Sequence, residues 1–96
     1  MQWMNVEPDA LIARAPDCLA ADMGEELVIM IAGRGTYLAL DSVGRDVWSC
    51  IALPCSFPAL CDCLEGIYAG ARAAIEADVA ALLGKLQEAG AVEIRR

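Results

Sequence analysis

The chain contains no histidine. That absence removes the commonest general base, the Ser-His and Cys-His nucleophile pairs, and most zinc chemistry. Aromatic side chains make up only 5% of the 96 residues against 58% hydrophobic residues overall. The core must therefore be packed from aliphatic side chains, and some apolar surface is left over, which usually marks a partner site. Basic residues are scarce as well: seven Lys and Arg face fourteen Asp and Glu, for a net charge of −7. Such a balance repels nucleic acid and anionic lipid. No long apolar run is present. The longest uncharged stretch, 47–61, is interrupted by Ser49, Pro54, Ser56 and Pro58, and it falls short of the roughly 20 apolar residues that span a bilayer. The first residues carry no positive charge and no signal-length apolar segment, so a soluble cytoplasmic protein with no membrane partner is expected. In that setting the five cysteines are expected to stay reduced, with no disulfide.

What is present begins with Glu25 to Trp48. Leu27-Val28-Ile29-Met30-Ile31-Ala32 is a β-branched apolar run, and Thr36-Tyr37-Leu38-Ala39-Leu40 returns after Gly33-Arg34-Gly35. This pattern predicts a short hairpin. From Asp41 the period changes, with Val43, Val47, Cys50 and Ile51 falling on one helical face behind Asp41 or Ser42 as N-cap. Cys18 to Asp22 is a candidate first strand, completing a three-stranded antiparallel meander.

The remaining chain reads as two more helices. Ser56 caps the second, with Pro58 in its first turn and Phe57, Leu60, Cys63, Leu64 and Ile67 on its buried face. The third runs from about Arg72 to Ala89, stopped by Gly90, with Ile75, Val79, Leu82, Leu83 and Leu86 on one stripe. Val92-Glu93-Ile94 is a candidate terminal strand. Residues 1–16, broken by Pro8 and Pro16, read as an irregular lead-in, and 17–96 as a single domain. Strands followed by helices indicate an α+β fold: a three-stranded antiparallel sheet, then three helices, in a winged helix-turn-helix arrangement.

Catalytic and metal chemistry find little support. Cys50, Cys55, Cys61 and Cys63 lie close in sequence, but their gaps match neither zinc knuckles nor iron–sulfur runs, and packing is the better role. The carboxylate pairs, such as Glu25 with Glu26, are framed by no motif and read as solvated charge. Gly33-Arg34-Gly35 leads into a strand and lacks the Gly-Lys-Ser/Thr of a phosphate loop. A winged-helix DNA-binding regulator would need a basic recognition helix, whereas the third helix carries only Arg72 and Lys85 against Glu76, Asp78 and Glu88. No enzyme, cofactor or metal is expected. What remains is a groove between strand Thr36–Leu40 and the third helix, where an extended peptide could add a strand. The same strand and stripe equally fit an ordinary edge and an ordinary core.

Tyr37-Leu38-Ala39-Leu40-Asp41-Ser42-Val43-Gly44-Arg45-Asp46-Val47-Trp48, followed by Glu76-Ala77-Asp78-Val79, Leu82-Leu83, Leu86 and Gly90-Ala91-Val92, resembles PqqD-like proteins, the recognition elements of ribosomal peptide natural-product (RiPP) clusters. The resemblance covers about Cys18 to Ile94. It implies a domain that binds a precursor's leader segment by antiparallel strand addition, with Thr36, Tyr37, Leu38, Ala39 and Leu40 supplying the strand edge and Ile75, Val79, Leu82 and Leu83 as candidate groove wall. It further implies delivery of the precursor to a leader peptidase and an ATP-dependent cyclase, as in lasso-peptide biosynthesis, or to a radical SAM enzyme as for PqqD itself. A monomer or weak homodimer is expected. Cys18 and Cys55 depart from the family's usual residues.

Overall fold

The computed structural model describes residues 9–95, which form two small antiparallel sheets and three helices. In chain order the elements are β1 (Leu11–Arg14), β2 (Cys18–Asp22), β3 (Leu27–Ile31), β4 (Thr36–Leu40), α1 (Ser42–Cys50), β5 (Cys55–Ser56), α2 (Phe57–Glu65), α3 (Arg72–Ala89) and β6 (Val92–Arg95). The expected meander is present as β2-β3-β4, with Ile29 opposite both Ala20 and Leu38. Together with the three helices it makes the expected α+β fold.

A second sheet, ordered β5-β1-β6, corrects the expectation of an irregular lead-in over 1–16. Residues 1–8 lie outside the described residues. Leu11–Arg14, however, pairs residue for residue with β6, from Leu11 opposite Arg95 to Arg14 opposite Val92. Ile12 and Ala13 are buried in the core. The domain therefore includes these residues, and a boundary at 17 would cut a sheet in two. Local pattern could not reveal this strand, because it is four residues long and its main partner lies at the other end of the chain.

The helix signals act where the sequence places them. Asp41 caps α1 by accepting a hydrogen bond from the Gly44 amide at 3.0 Å. Gly44 is needed at this corner because a Cβ there would stand 2.9 Å from Leu40 Cβ. Ser56 caps α2 through the Ala59 amide, and Gly90 ends α3 at a φ of 87°. One face was misread: α2 buries Phe57, Leu60, Cys61 and Leu64, while Cys63 and Ile67 are exposed. The expected absence of a disulfide is also corrected. Cys50 at the end of α1 and Cys63 on α2 are disulfide-bonded, with Cα atoms 6.3 Å apart, inside the range a bridge can span. Compartment arguments bear on whether thiols stay reduced, whereas the crossing of these two helices puts the pair within reach. Cys18, Cys55 and Cys61 are free, and burial raises the pKa of each thiol.

The core gathers Ile12, Ile29, Ile31, Val47, Ile51, Leu60, Leu83 and Leu86 from both sheets and all three helices. Arg14 ties β1 to α1: its guanidinium lies 4.7 Å from the Trp48 ring centre and donates to the Trp48 carbonyl. No helix among the described residues is long and apolar enough to cross a membrane.

Candidate functional site

β4 is an edge strand, bonded to β3 on one side only. Which of its backbone groups face outward follows from the ladder on the other side of β3. Ala32 N–H donates to the Asp17 carbonyl at 3.1 Å and Met23 N–H to the Glu26 carbonyl at 2.8 Å. Backbone groups alternate along an antiparallel strand, so Val28 and Met30 turn theirs to β2 while Leu27, Ile29 and Ile31 turn theirs to β4. Across the register, Thr36, Leu38 and Leu40 answer them. Tyr37 and Ala39 thus direct their N–H and C=O groups to the open edge. No proline, lysine or other charge blunts Thr36-Tyr37-Leu38-Ala39-Leu40, unlike the usual protection of a sheet edge.

Beside that edge runs a groove of about 350 Å3 lined by Leu38, Ala39 and Leu40 of β4 and Leu82, Lys85 and Leu86 of α3, with Glu26 and Asp41 at its rim. A second groove, of about 260 Å3, lies between α1, the end of α2 and α3. Val43, Val47, Leu64, Tyr68, Ile75, Val79 and Leu82 line it. Leu82 belongs to both. Successive helical residues are rotated by about 100°, which separates neighbours that share a hydrophobic stripe. Leu83 points into the core and is fully buried, whereas Leu82 is half-buried and faces the grooves.

Two arginines hold the hairpin against the helices. Arg34, in the β3–β4 turn, donates to the Glu88 carbonyl at 2.8 Å, where the C-terminal end of α3 welcomes a cation. Its side chain lies over Gly90, leaving no room there for a Cβ. At the other turn Arg45 of α1 pairs with Asp22 at 2.7 Å and also donates to the Gly24 carbonyl. The Arg45 bond, together with the hydrogen bond that the Gly24 amide donates to the same carboxylate, holds the Asp22 carboxyl below its usual range. At the second groove the Tyr68 hydroxyl donates to the Asp46 carboxylate. That bond, with burial and the nearby Asp46 and Asp41 charges, pushes the phenol up to about 12.

The arrangement offers backbone donors, backbone acceptors and apolar walls. Among the described residues, no group of three or more His, Cys, Asp or Glu converges to hold a metal. The profile of the family described as coenzyme PQQ synthesis protein D (PqqD) matches residues 26–92, spanning this hairpin and all three helices. The chain belongs to the PqqD family. Two solved structures share the fold. "TbiB1 in Complex with the TbiA(beta) Leader Peptide" has a TM-score of 0.77 at 25% identity, covering 84% of this chain and 94% of the other. "Lasso peptide synthetase B1 complexed with the leader peptide" has a TM-score of 0.71 at 21% identity, covering 85% and 96%. No curated protein matches.

For this PqqD-family chain, then, the residues expected to form a site separate into three groups. Thr36 to Leu40 are one continuous edge strand, and Leu82 joins Leu38, Ala39 and Leu40 around one groove. Ile75 and Val79 line the second groove instead. Leu83 lines neither and belongs to the core. Sequence reasoning missed, among others, Val43, Val47, Leu64, Tyr68, Lys85 and Leu86 as lining residues. Val43, Val47, Leu64 and Leu86 fell on recognised apolar stripes, but no linear pattern separates a groove-facing position from a core-facing one.

Proposed function

We propose that this protein binds the leader segment of a ribosomally made precursor peptide by adding it as a strand to β4. The observation that carries the reading is the open edge, where Tyr37 and Ala39 present unpaired backbone groups beside two apolar grooves that meet at Leu82. Backbone hydrogen bonds supply affinity for any extended chain, and the grooves select its side chains. The likeness to proteins described in complex with leader peptides favours this ligand class over others.

In this reading the leader runs antiparallel to β4, entering beside Leu40 and leaving beside Thr36. Apolar leader side chains fill the grooves formed with Ile75, Val79 and Leu82. The protein performs no chemistry of its own. It raises the effective concentration of the precursor at the enzymes that process it, a leader peptidase and an ATP-dependent cyclase of a lasso-peptide pathway, in the cytoplasm. The family match favours a second reading, in which the same edge presents a precursor to a radical SAM enzyme. A fluorescence-anisotropy titration with a labelled lasso-type leader tests the ligand class, with a control leader whose aromatic and aliphatic anchors are alanine. Saturable binding that the control loses is the expected result; absence of binding to either peptide would contradict the proposal.

A further inference from the structure

The bond between Cys50 and Cys63 sits beside the second groove. Cys50 is the last residue of α1, one turn beyond Val47, and Cys63 immediately precedes Leu64 on α2. Val47 and Leu64 are buried, and both line that groove. The disulfide therefore fixes the spacing of two of the groove's three helices next to their lining positions. α3 supplies the third wall with Ile75, Val79 and Leu82. Without the covalent bond, α1 and α2 would be held here by apolar packing, which is non-directional, and by the Tyr68 hydroxyl on Asp46.

We infer that the Cys50–Cys63 pair is a redox site that sets leader affinity. The disulfide form holds the second groove ready for apolar leader side chains, and the dithiol form frees α1 from α2 and weakens binding. The inference rests on the leader-binding reading above. In the cytoplasm proposed there, the disulfides that do occur are usually transient, catalytic or redox-sensing rather than structural. Catalytic dithiols are commonly close C-x-x-C pairs, whereas Cys50 and Cys63 are separated by 13 positions and bridge two helices. A bridge between two walls of a binding groove is suited to sensing.

Exposure decides how the bond is opened. Cys63 is exposed and Cys50 half-buried, so an incoming thiolate reaches Cys63 Sγ. Attack there forms a mixed disulfide and breaks the Cys50–Cys63 bond, whose electron pair leaves on Cys50 as a thiolate that takes a proton. The second thiol of a dithiol reductant then displaces Cys63, which is protonated in turn, and the reductant departs as its own disulfide with two electrons transferred. Reoxidation by a disulfide donor runs the same steps backwards. The other three thiols are poor competitors. Cys61 is fully buried, and Cys55 donates to the Cys50 carbonyl at 3.7 Å. Burial raises the pKa of both and of Cys18, which keeps them protonated and slow to exchange. Reduction leaves the strand edge alone, because β4 lies outside the segment 50–63 that the bridge closes. The dithiol form should thus keep the backbone pairing and lose part of the groove's contribution.

The test compares a labelled lasso-type leader titrated against the oxidised protein and against the same protein reduced with dithiothreitol. Thiol counting should rise from three to five on reduction, and circular dichroism should show that the reduced protein stays folded. The leader Kd is expected to rise about fivefold or more. Cys50→Ser/Cys63→Ser should bind as the reduced wild type does in either buffer, whereas Cys55→Ser should keep the full response. Linkage gives a reciprocal readout on the wild type alone. Saturating leader should shift its dithiol–disulfide equilibrium, poised with reduced and oxidised dithiothreitol, toward the disulfide by the same factor. Equal leader affinity in the two forms overturns the inference and leaves the leader-binding reading standing. Five free thiols under oxidised dithiothreitol, or unfolding on reduction, overturns it as well. If neither form binds the leader, the leader-binding reading falls and the inference falls with it.

Discussion

The two sheets have the same number of strands and serve opposite purposes. In β5-β1-β6 the central strand is sequestered, with Ile12 and Ala13 buried and Arg14 stacked on Trp48. Its edges are a two-residue strand and the strand that ends the described residues. In β2-β3-β4 a five-residue edge is left open, and the outer face is apolar yet exposed. The first sheet closes the domain by joining residues from its two ends, and the second holds backbone groups and apolar surface in reserve. Rigidity in one permits incompleteness in the other, since an open edge is useful only if the rest of the fold keeps it in place.

The contrast can be broken most forcefully in the closed sheet. Ile12→Ala removes a fully buried side chain and should cost about 2–5 kcal/mol in urea unfolding. Leu19→Ala on the outer face should stay within about 0.5 kcal/mol. Equal costs would mean that the two sheets are not differently used.

Within β4 the alternation itself is testable. Leu38→Pro removes a donor that serves the β3 ladder and leaves its acceptor unpaired, which should destabilise by about 1–3 kcal/mol. Ala39→Pro removes one that points to the open edge, where proline is tolerated, so its unfolding curve should stay much closer to the wild type's. Its leader affinity should nevertheless fall by about tenfold, or ~1.4 kcal/mol. Leu82→Ala, which removes the wall common to both grooves, should cost about 1–2 kcal/mol of leader binding. Leu83→Ala should instead cost stability.

The smallest expected effect is a titration at the second groove. Tyr68 has its pKa raised from 10 to about 12, so the neutral phenol is the form the folded protein favours. Its contribution to stability is full below pH 10 and is lost as pH rises through about 12. In a Tyr37→Phe background, phenolate absorbance from Tyr68 should appear only toward the upper end of that window. Asp46→Asn should shift it downward.

Sequence carried the hairpin, the three helices and their caps because each is announced by a period or a capping residue within a few positions. It carried the strand edge for the same reason: Thr36–Leu40 follows a recognisable turn. The second sheet was hidden because Leu11–Arg14 is short and pairs with Val92–Arg95 across almost the whole chain. Leu82 and Leu83 could not be separated because both belong to one apolar stripe, and only the placement of β4 against α3 decides which is covered. Cys61 and Cys63 exchanged places in the same way, the buried position being two residues from the one expected.

Amide hydrogen exchange on β4, with and without saturating leader peptide, tests the central claim most directly. Thr36, Leu38 and Leu40 bond to β3 in the free protein, whereas Tyr37 and Ala39 do not. Strand addition predicts that the Tyr37 and Ala39 amides gain protection when the leader binds and that the other three change little. A leader that binds while Tyr37 and Ala39 continue to exchange as in the free protein would contradict the account.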